Sequence, residues 1–336
     1  MDPDSVRDAD RVPHGGSDDP DVLDFSANVN PRVPDGVREV YDAALDDATR
    51  YPNDAYPDYR AAAAEYVDCA PEQVVPTPGG LAGIRLAVGT RVGPGDSVLL
   101  PYPSFGEYAR EVQLQGADPV FVPHDELLDA DPWDHAVAVV CNPNNPTGDA
   151  CDPGALREFA ARCRDADTEL LADEAFLGFT DHPSIAGTEG VVVARSLTKL
   201  FGLPGLRAGF LVATGDRLGD LQTARRAWNL GTPAAAVGAH SMTDDSFVES
   251  TRERVASERA RMREALDERF DVHESDAPFL LLDVGDRDVA ELVDAARERG
   301  VAVRDATTFR GLDAHVRVAV RTPAENDELL AVLGDV

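Results

Sequence analysis

Ser196-Leu-Thr-Lys-Leu-Phe-Gly-Leu-Pro-Gly-Leu-Arg-Ala-Gly-Phe210 holds Lys199, the only lysine among 336 residues. All the other cationic side chains outside histidine are arginine. On a protein surface either cation keeps a chain in solution, but only a primary amine can lose its proton and condense with an aldehyde. A single retained lysine therefore points to a need for an amine at this position. Ser196 and Thr198 precede it, and Gly202, Gly205 and Arg207 follow. Hydroxyls, close backbone approach and a fixed cation are the parts of a phosphate clamp. The alternative is a salt-adapted protein with one leftover lysine in a glycine-rich loop.

Working outward, residues 190–195 form an apolar run that ends at Ser196 and reads as a buried strand. Residues 74–76, 97–100, 119–122, 136–141 and 169–172 read the same way, with helical spacing over 35–48, 60–67, 80–92, 105–114 and 153–164. This alternation predicts an α/β fold: a large domain with a mostly parallel sheet flanked by helices. Such sheets bind ligands beyond the carboxyl ends of their strands. Gly79-Gly80, Asn142–Gly148, Asp173 and Ser196–Lys199 all lie just after predicted strands. Past Trp228 the texture changes to a charged helix over 246–269, strands over 278–284, 301–304 and 316–320, and helices over 288–299 and 323–333. The expected organisation is an N-terminal arm that contacts substrate (residues 1–35), a large domain (36–235) and a smaller C-terminal α+β domain (236–336).

Against 31 Lys+Arg stand 62 Asp+Glu, a formal charge of −31. Self-repulsion on that scale is relieved by salt, since the Debye length falls to roughly 3 Å at 1 M. The composition suggests a salt-rich cytoplasm and argues against nucleic acid or anionic membranes as partners. A disordered acidic chain is excluded, because 43% of residues are hydrophobic and fall in periodic blocks. Cys69, Cys141, Cys151 and Cys163 form no CxxC pair and read as reduced thiols, so no metal site is expected. The acidic N-terminus does not read as a signal peptide, and no run reaches the roughly 18 apolar residues of a membrane span.

Asn145-Pro-Thr-Gly148, Asp173-Glu-Ala175, and Ser196-x-Thr-Lys199 followed by Arg207-x-Gly209 occur in this order over nearly the whole chain. Each piece is weak alone. As an ordered set they resemble the fold-type I pyridoxal-phosphate enzymes of the class I/II aminotransferase family. The resemblance implies pyridoxal 5'-phosphate as cofactor, held by Lys199 as a Schiff base, with the same amine moving a proton at the reacting carbon. Asp173 would keep the ring nitrogen protonated and Asn145 would hydrogen-bond the ring oxygen. Phe105, within Pro103-Ser-Phe-Gly-Glu-Tyr108, would stack on the ring. Gly79, Gly80 and Leu81 would offer backbone amides to the phosphate, with Ser196, Thr198 and Arg207 completing the cup. Tyr51 would reach the partner's cofactor phosphate in a homodimer with shared active sites. Two departures matter: Leu81 stands where relatives carry a side-chain phosphate ligand, and Phe176 where many carry a tyrosine.

Within that family the pattern is most similar to the L-threonine-O-3-phosphate decarboxylases of cobalamin biosynthesis, a sister group of the histidinol-phosphate aminotransferases. The features that carry this are His14-Gly-Gly16, Asp24-Phe-Ser-Ala-Asn-Val-Asn-Pro31, Asp173-Glu-Ala-Phe176, and residues 304–322. The resemblance implies a small phosphorylated amino acid as substrate. Arg317 would grip its carboxylate and Arg321 its phosphate, because residues four apart in a strand face one side. His14, Asn28 and Asn30 would add contacts. Two other readings stay open: an aminotransferase using 2-oxoglutarate as acceptor, and a non-catalytic cofactor-binding regulator, although regulators of this fold usually carry an N-terminal DNA-binding domain.

Overall fold

The computed structural model describes residues 1–335. Strand β1 (Leu23–Asp24) lies in the N-terminal segment. Seven strands follow: β2 (Val74–Thr77), β3 (Ser97–Tyr102), β4 (Asp118–Pro123), β5 (Val137–Cys141), β6 (Glu169–Asp173), β7 (Val191–Ser196) and β8 (Gly209–Val212). They form one sheet in the order β2-β8-β7-β6-β5-β3-β4. From β4 to β7 every pairing is parallel, and β8 runs antiparallel to both its neighbours. The central strands β5 and β6 are buried along their whole length. That is why their sequences read as continuous apolar runs and not as alternating ones. Two separate apolar clusters fill the two faces of the sheet, as expected when helices cover both.

The mostly parallel sheet flanked by helices is the architecture expected from the sequence. β8 was not anticipated. It is the return stroke of the chain after the Lys199 loop, and its four residues are too short for a periodic signal. Gly209 pairs with Thr77 of β2 on one side and Ser196 of β7 on the other.

Beyond the sheet, Thr232–Met242 is a helix that packs on the helices Val37–Asp47 and Pro57–Val67, so the expected boundary at residue 235 falls inside it. The long helix Asp245–Leu266 follows, then β9 (Asp271–Val272), β10 (Phe279–Asp283), β11 (Val301–Ala302), β12 (Arg304–Asp305) and β13 (His315–Ala319). A four-stranded sheet is ordered β12-β13-β10-β9, and β11 pairs in parallel with β1 instead. The single strand expected over 301–304 is thus two strands in two sheets. The N-terminal segment is tied both to the large-sheet part and to the C-terminal part of the chain: Asp2 N donates to Leu114 O (2.8 Å), while Leu23 N and Phe25 N donate to Gly300 O and Ala302 O. No helix among the described residues is long and apolar enough to cross a membrane.

Candidate active site

The ends of β5, β6 and β7, the start of helix Gly80–Arg91 and the N-terminal segment enclose a cleft of about 380 Å³. Gly79 caps that helix with φ +96°, which glycine tolerates. A Cβ there would also lie 2.6 Å from Arg207 Nη2, so the guanidinium sits directly over the turn. The amides of Gly80 and Leu81 open the helix without intrahelical acceptors, and a helix start with free N–H groups attracts an anion. Ser196 Oγ and Thr198 Oγ1 hydrogen-bond each other at 2.7 Å beside it. Arg207 adopts φ +54°, sparsely populated for a residue with a side chain, and makes no ion pair with a carboxylate among the described residues, its Nη1 donating to Pro204 O.

Across the cleft from this cup stands Asp173, buried at the end of β6. Its Oδ2 accepts from Tyr108 Oη at 2.6 Å and its Oδ1 from Ala175 N at 3.0 Å. Burial pushes its carboxyl above the usual range, and the Tyr108 hydrogen bond opposes that shift. Phe105 lines the cleft, with Tyr108 edge-on to it at 5.5 Å between centroids. Lys199 projects into the same space, its Nζ 5.8 Å from the Phe176 ring. Burial, and secondarily the charge of Arg317, bring its amine down to about 8, with Asp173 opposing.

Asn145 Oδ1 accepts from Arg317 Nη1, and Arg317 Nη2 donates to Ser26 O at 2.9 Å. Arg317 Nε, fully buried, has no hydrogen-bond partner among the described residues. Burial and the neighbouring Arg304 pull this guanidinium down to about 9. Arg304 is the direct cross-strand partner of Arg317 in the β12–β13 pair. Its Nη2 donates to Pro13 O and Thr308 Oγ1, both at 2.8 Å. Neither arginine meets a carboxylate among the described residues. Like charges directly opposite in a sheet repel, so the pair is chemically suited to an anion placed against it. His14 lines the same end, its Nε2 3.0 Å from Glu107 Oε1, and the buried Asn28 Oδ1 also faces the cleft without a partner.

Two residues expected at the site lie elsewhere, and Tyr51, expected at the partner's cofactor, stands apart from this chain's cleft. Arg321 follows the end of β13 at Ala319, so the same-face rule for strands does not reach it. Its terminal nitrogens are taken by Asp24 O (3.1 Å) and Glu325 Oε1 (2.7 Å). Asn30 is buried as a structural tie, donating to Leu200 O and accepting from Arg254 Nη2 and Arg32 N. Tyr51 is outside this chain's own cleft, 78% exposed and stacked on Trp228 at 4.5 Å. Two residues given no role from the sequence are in the site, Arg304 and Tyr108. Both stand in motifs already quoted, but only strand register puts Arg304 opposite Arg317, and only the fold brings Tyr108 to Asp173.

The donor set fits a phosphorylated pyridine aldehyde. Free amides and Arg207 would hold its phosphate, Asp173 its ring nitrogen, Asn145 Nδ2 its ring oxygen and Lys199 its aldehyde. A family model described as aminotransferase class I and II matches residues 20–333. The chain is 30% identical to histidinol-phosphate aminotransferase 1 of Archaeoglobus fulgidus, covering 94% of this chain and 99% of that one. It is 29% identical to the threonine-phosphate decarboxylase of Salmonella typhimurium, covering 94% and 91%. The fold superposes on histidinol-phosphate aminotransferase from Sinorhizobium meliloti in complex with pyridoxal-5'-phosphate with a TM-score of 0.83, at 21% identity over 93% of this chain and 89% of that one.

Proposed function

The chain belongs to the class I and II aminotransferase family, its cofactor is pyridoxal 5'-phosphate, and from that premise we propose that it decarboxylates L-threonine O-3-phosphate to (R)-1-aminopropan-2-yl phosphate. The observation that carries this reading is the Arg304–Arg317 pair, two guanidinium groups in register across two strands with no carboxylate between them. A substrate with carboxylate and phosphate on neighbouring carbons brings two anions to two adjacent cations. Histidinol phosphate, with a phosphate and no carboxylate, leaves one of them unmatched, so as the amine substrate it fits the pair less well, whereas the two carboxylates of a 2-oxoglutarate acceptor would match both.

The bound cofactor supplies an electron sink for the pair released when a bond to Cα breaks. Asp173 would hold the ring nitrogen protonated, which makes such a sink effective. Arg317, fixed by Asn145 and Ser26, and Arg304, fixed by Pro13 and Thr308, orient the substrate by its anions. Phe105 and residues 12–15 line the cleft beside these groups. The Cα–carboxyl bond breaks, CO₂ leaves, and one proton is taken up at Cα. Lys199, with its amine near 8, can hold that proton at working pH and deliver it.

The test is purified holoenzyme in high KCl given L-threonine O-3-phosphate alone, then histidinol phosphate with 2-oxoglutarate. CO₂ release without a keto acid supports the reading. Glutamate without CO₂ overturns it in favour of an aminotransferase, the second reading, which the 30% identity to a histidinol-phosphate aminotransferase favours. Either enzyme is proposed to work as a homodimer in which the exposed Tyr51 and Trp228 pair is covered by the second copy. Sedimentation of Tyr51→Ala with its cofactor affinity checks this: a stable dimer binding the cofactor as tightly as wild type would remove Tyr51 from the shared site.

A further inference from the structure

Asp173 poses a problem that the cofactor alone does not solve. A carboxylate at the end of a buried strand, with no cation in ion-pair range, is driven toward its neutral acid. A neutral acid is a poor partner for a protonated pyridine nitrogen. The charged and titratable groups around it are Tyr108 from helix Glu107–Gln113, Cys141 from the adjacent β5, its chain neighbour Glu174, Arg195 on β7 and Lys199 beyond it. Burial pushes the Cys141 thiol up to about 12, so it stays neutral and supplies no charge. Arg195 is committed to Glu174, 3.4 Å away. Lys199 would be engaged with the cofactor aldehyde and makes no ion pair with Asp173 among the described residues.

Tyr108 is the only side chain among the described residues that donates a hydrogen bond to Asp173. At 2.6 Å the contact has the length of an O–H bonded to an ionised oxygen. The same ring meets Phe105 edge-on, so its position is fixed by packing as well as by the hydrogen bond. We propose that Tyr108 is a positioning residue for the cofactor: its hydroxyl holds Asp173 ionised and aimed at the ring nitrogen, while its ring edge sets the plane of Phe105 over the ring. A tyrosine that merely filled the core would need no hydroxyl at this place. The inference rests on the family and its cofactor alone, since a decarboxylase and an aminotransferase both need a protonated ring nitrogen.

The experiment uses protein stripped of cofactor and titrated with pyridoxal 5'-phosphate, comparing wild type, Tyr108→Phe, Asp173→Asn and the double variant. Tyr108→Phe keeps the ring and its packing on Phe105 and loses only the hydroxyl. The expected result is cofactor binding weakened about tenfold in Tyr108→Phe, with no further loss when the same change is added to Asp173→Asn. The acid limb of the bound cofactor's absorption should move to higher pH in Tyr108→Phe, because the donor that favours the carboxylate is gone. Placing 3-fluorotyrosine at 108, a stronger donor of the same shape, should move it to lower pH, and serves if the phenylalanine variant does not fold. Equal affinity and an unmoved acid limb, or losses that simply add in the double variant, overturn the proposal. None of these readouts involves a substrate, so their failure leaves the decarboxylase reading standing.

Discussion

At the scale of single residues, the cleft is a set of charges whose partners are absent from the polypeptide itself. Lys199 gives the clearest pH signature. Its amine titrates near 8, so the reactive neutral form rises about tenfold between pH 7 and pH 9 and then levels off. The rate at which cofactor-free protein takes up pyridoxal 5'-phosphate should follow that curve. A rate still climbing beyond pH 10 would mark an unperturbed lysine. Lys199→Ala should lose the borohydride-reducible cofactor altogether, since no second lysine can substitute. Arg304→Ala should weaken L-threonine O-3-phosphate about 100-fold, roughly 3 kcal/mol for a desolvated charge pair, and weaken L-threonine far less. Arg321→Ala should leave both unchanged and give up its partly exposed pair with Glu325 and its bond to Asp24 O, about 1 kcal/mol of stability, read as a lowered thermal midpoint. Equal losses for the two arginines would return Arg321 to the site. Lys199 was legible as the only lysine, in the loop just past an apolar run, and Asp173 as the acid that ends another, because such sheets gather the carboxyl ends of their strands in one place. Arg304 was not, because its meaning lies in being opposite Arg317, and register is not written in either strand alone.

At the scale of elements, the phosphate cup depends on β8, the strand the sequence pattern did not disclose. A Cβ on Gly209 would come within 2.6 Å of Arg195 O, 2.8 Å of Gly79 C and 2.9 Å of Gly80 N, all backbone atoms that cannot step aside cheaply. Gly209→Ala should therefore displace the Gly79–Gly80 turn, lowering stability by roughly 1–3 kcal/mol as overpacking does. The more telling loss is in cofactor affinity, which should fall with the variant still folded by circular dichroism. Unchanged affinity would mean that the cup is not where the phosphate sits. The Arg207-x-Gly209 spacing was visible in the chain; its reason, a glycine pressed between the ends of β2 and β7, appears only once β8 is inserted between them. In the same way the apolar run over 301–304 is two strands, because β11 serves β1 and β12 serves β13. A run of four residues carries no sign of which sheet each half joins.

At the scale of the molecule, the charge is distributed with opposite signs inside and out. The buried carboxylates are largely matched: Glu111 to Arg85 (2.6 Å), Glu169 to Arg217 (3.1 Å) and Glu174 to Arg195 (3.4 Å). The excess of acid is therefore on the surface, while the cleft gathers Lys199, Arg207, Arg304 and Arg317 around one carboxylate, Asp173. A dianionic substrate approaching from beyond a Debye length meets the net charge of −31 before it meets the arginines. At 0.1 M salt the screening length is about 10 Å and at 1 M about 3 Å, so molar salt hides the acidic surface and also reaches the exposed Arg207 and half-buried Arg304, but screens the buried Arg317 far less. Two outcomes follow, both measurable on one enzyme. The thermal midpoint should rise with KCl as self-repulsion is screened, and kcat/KM for the phosphorylated substrate should rise with it, the reverse of the usual loss of electrostatic steering. Sodium chloride should act as KCl does, and sucrose at equal osmolarity should leave kcat/KM flat. A fall in kcat/KM with salt would mean that the field of the four cleft cations reaches past the acidic surface. Stability would then be the only property of the molecule that its composition governs.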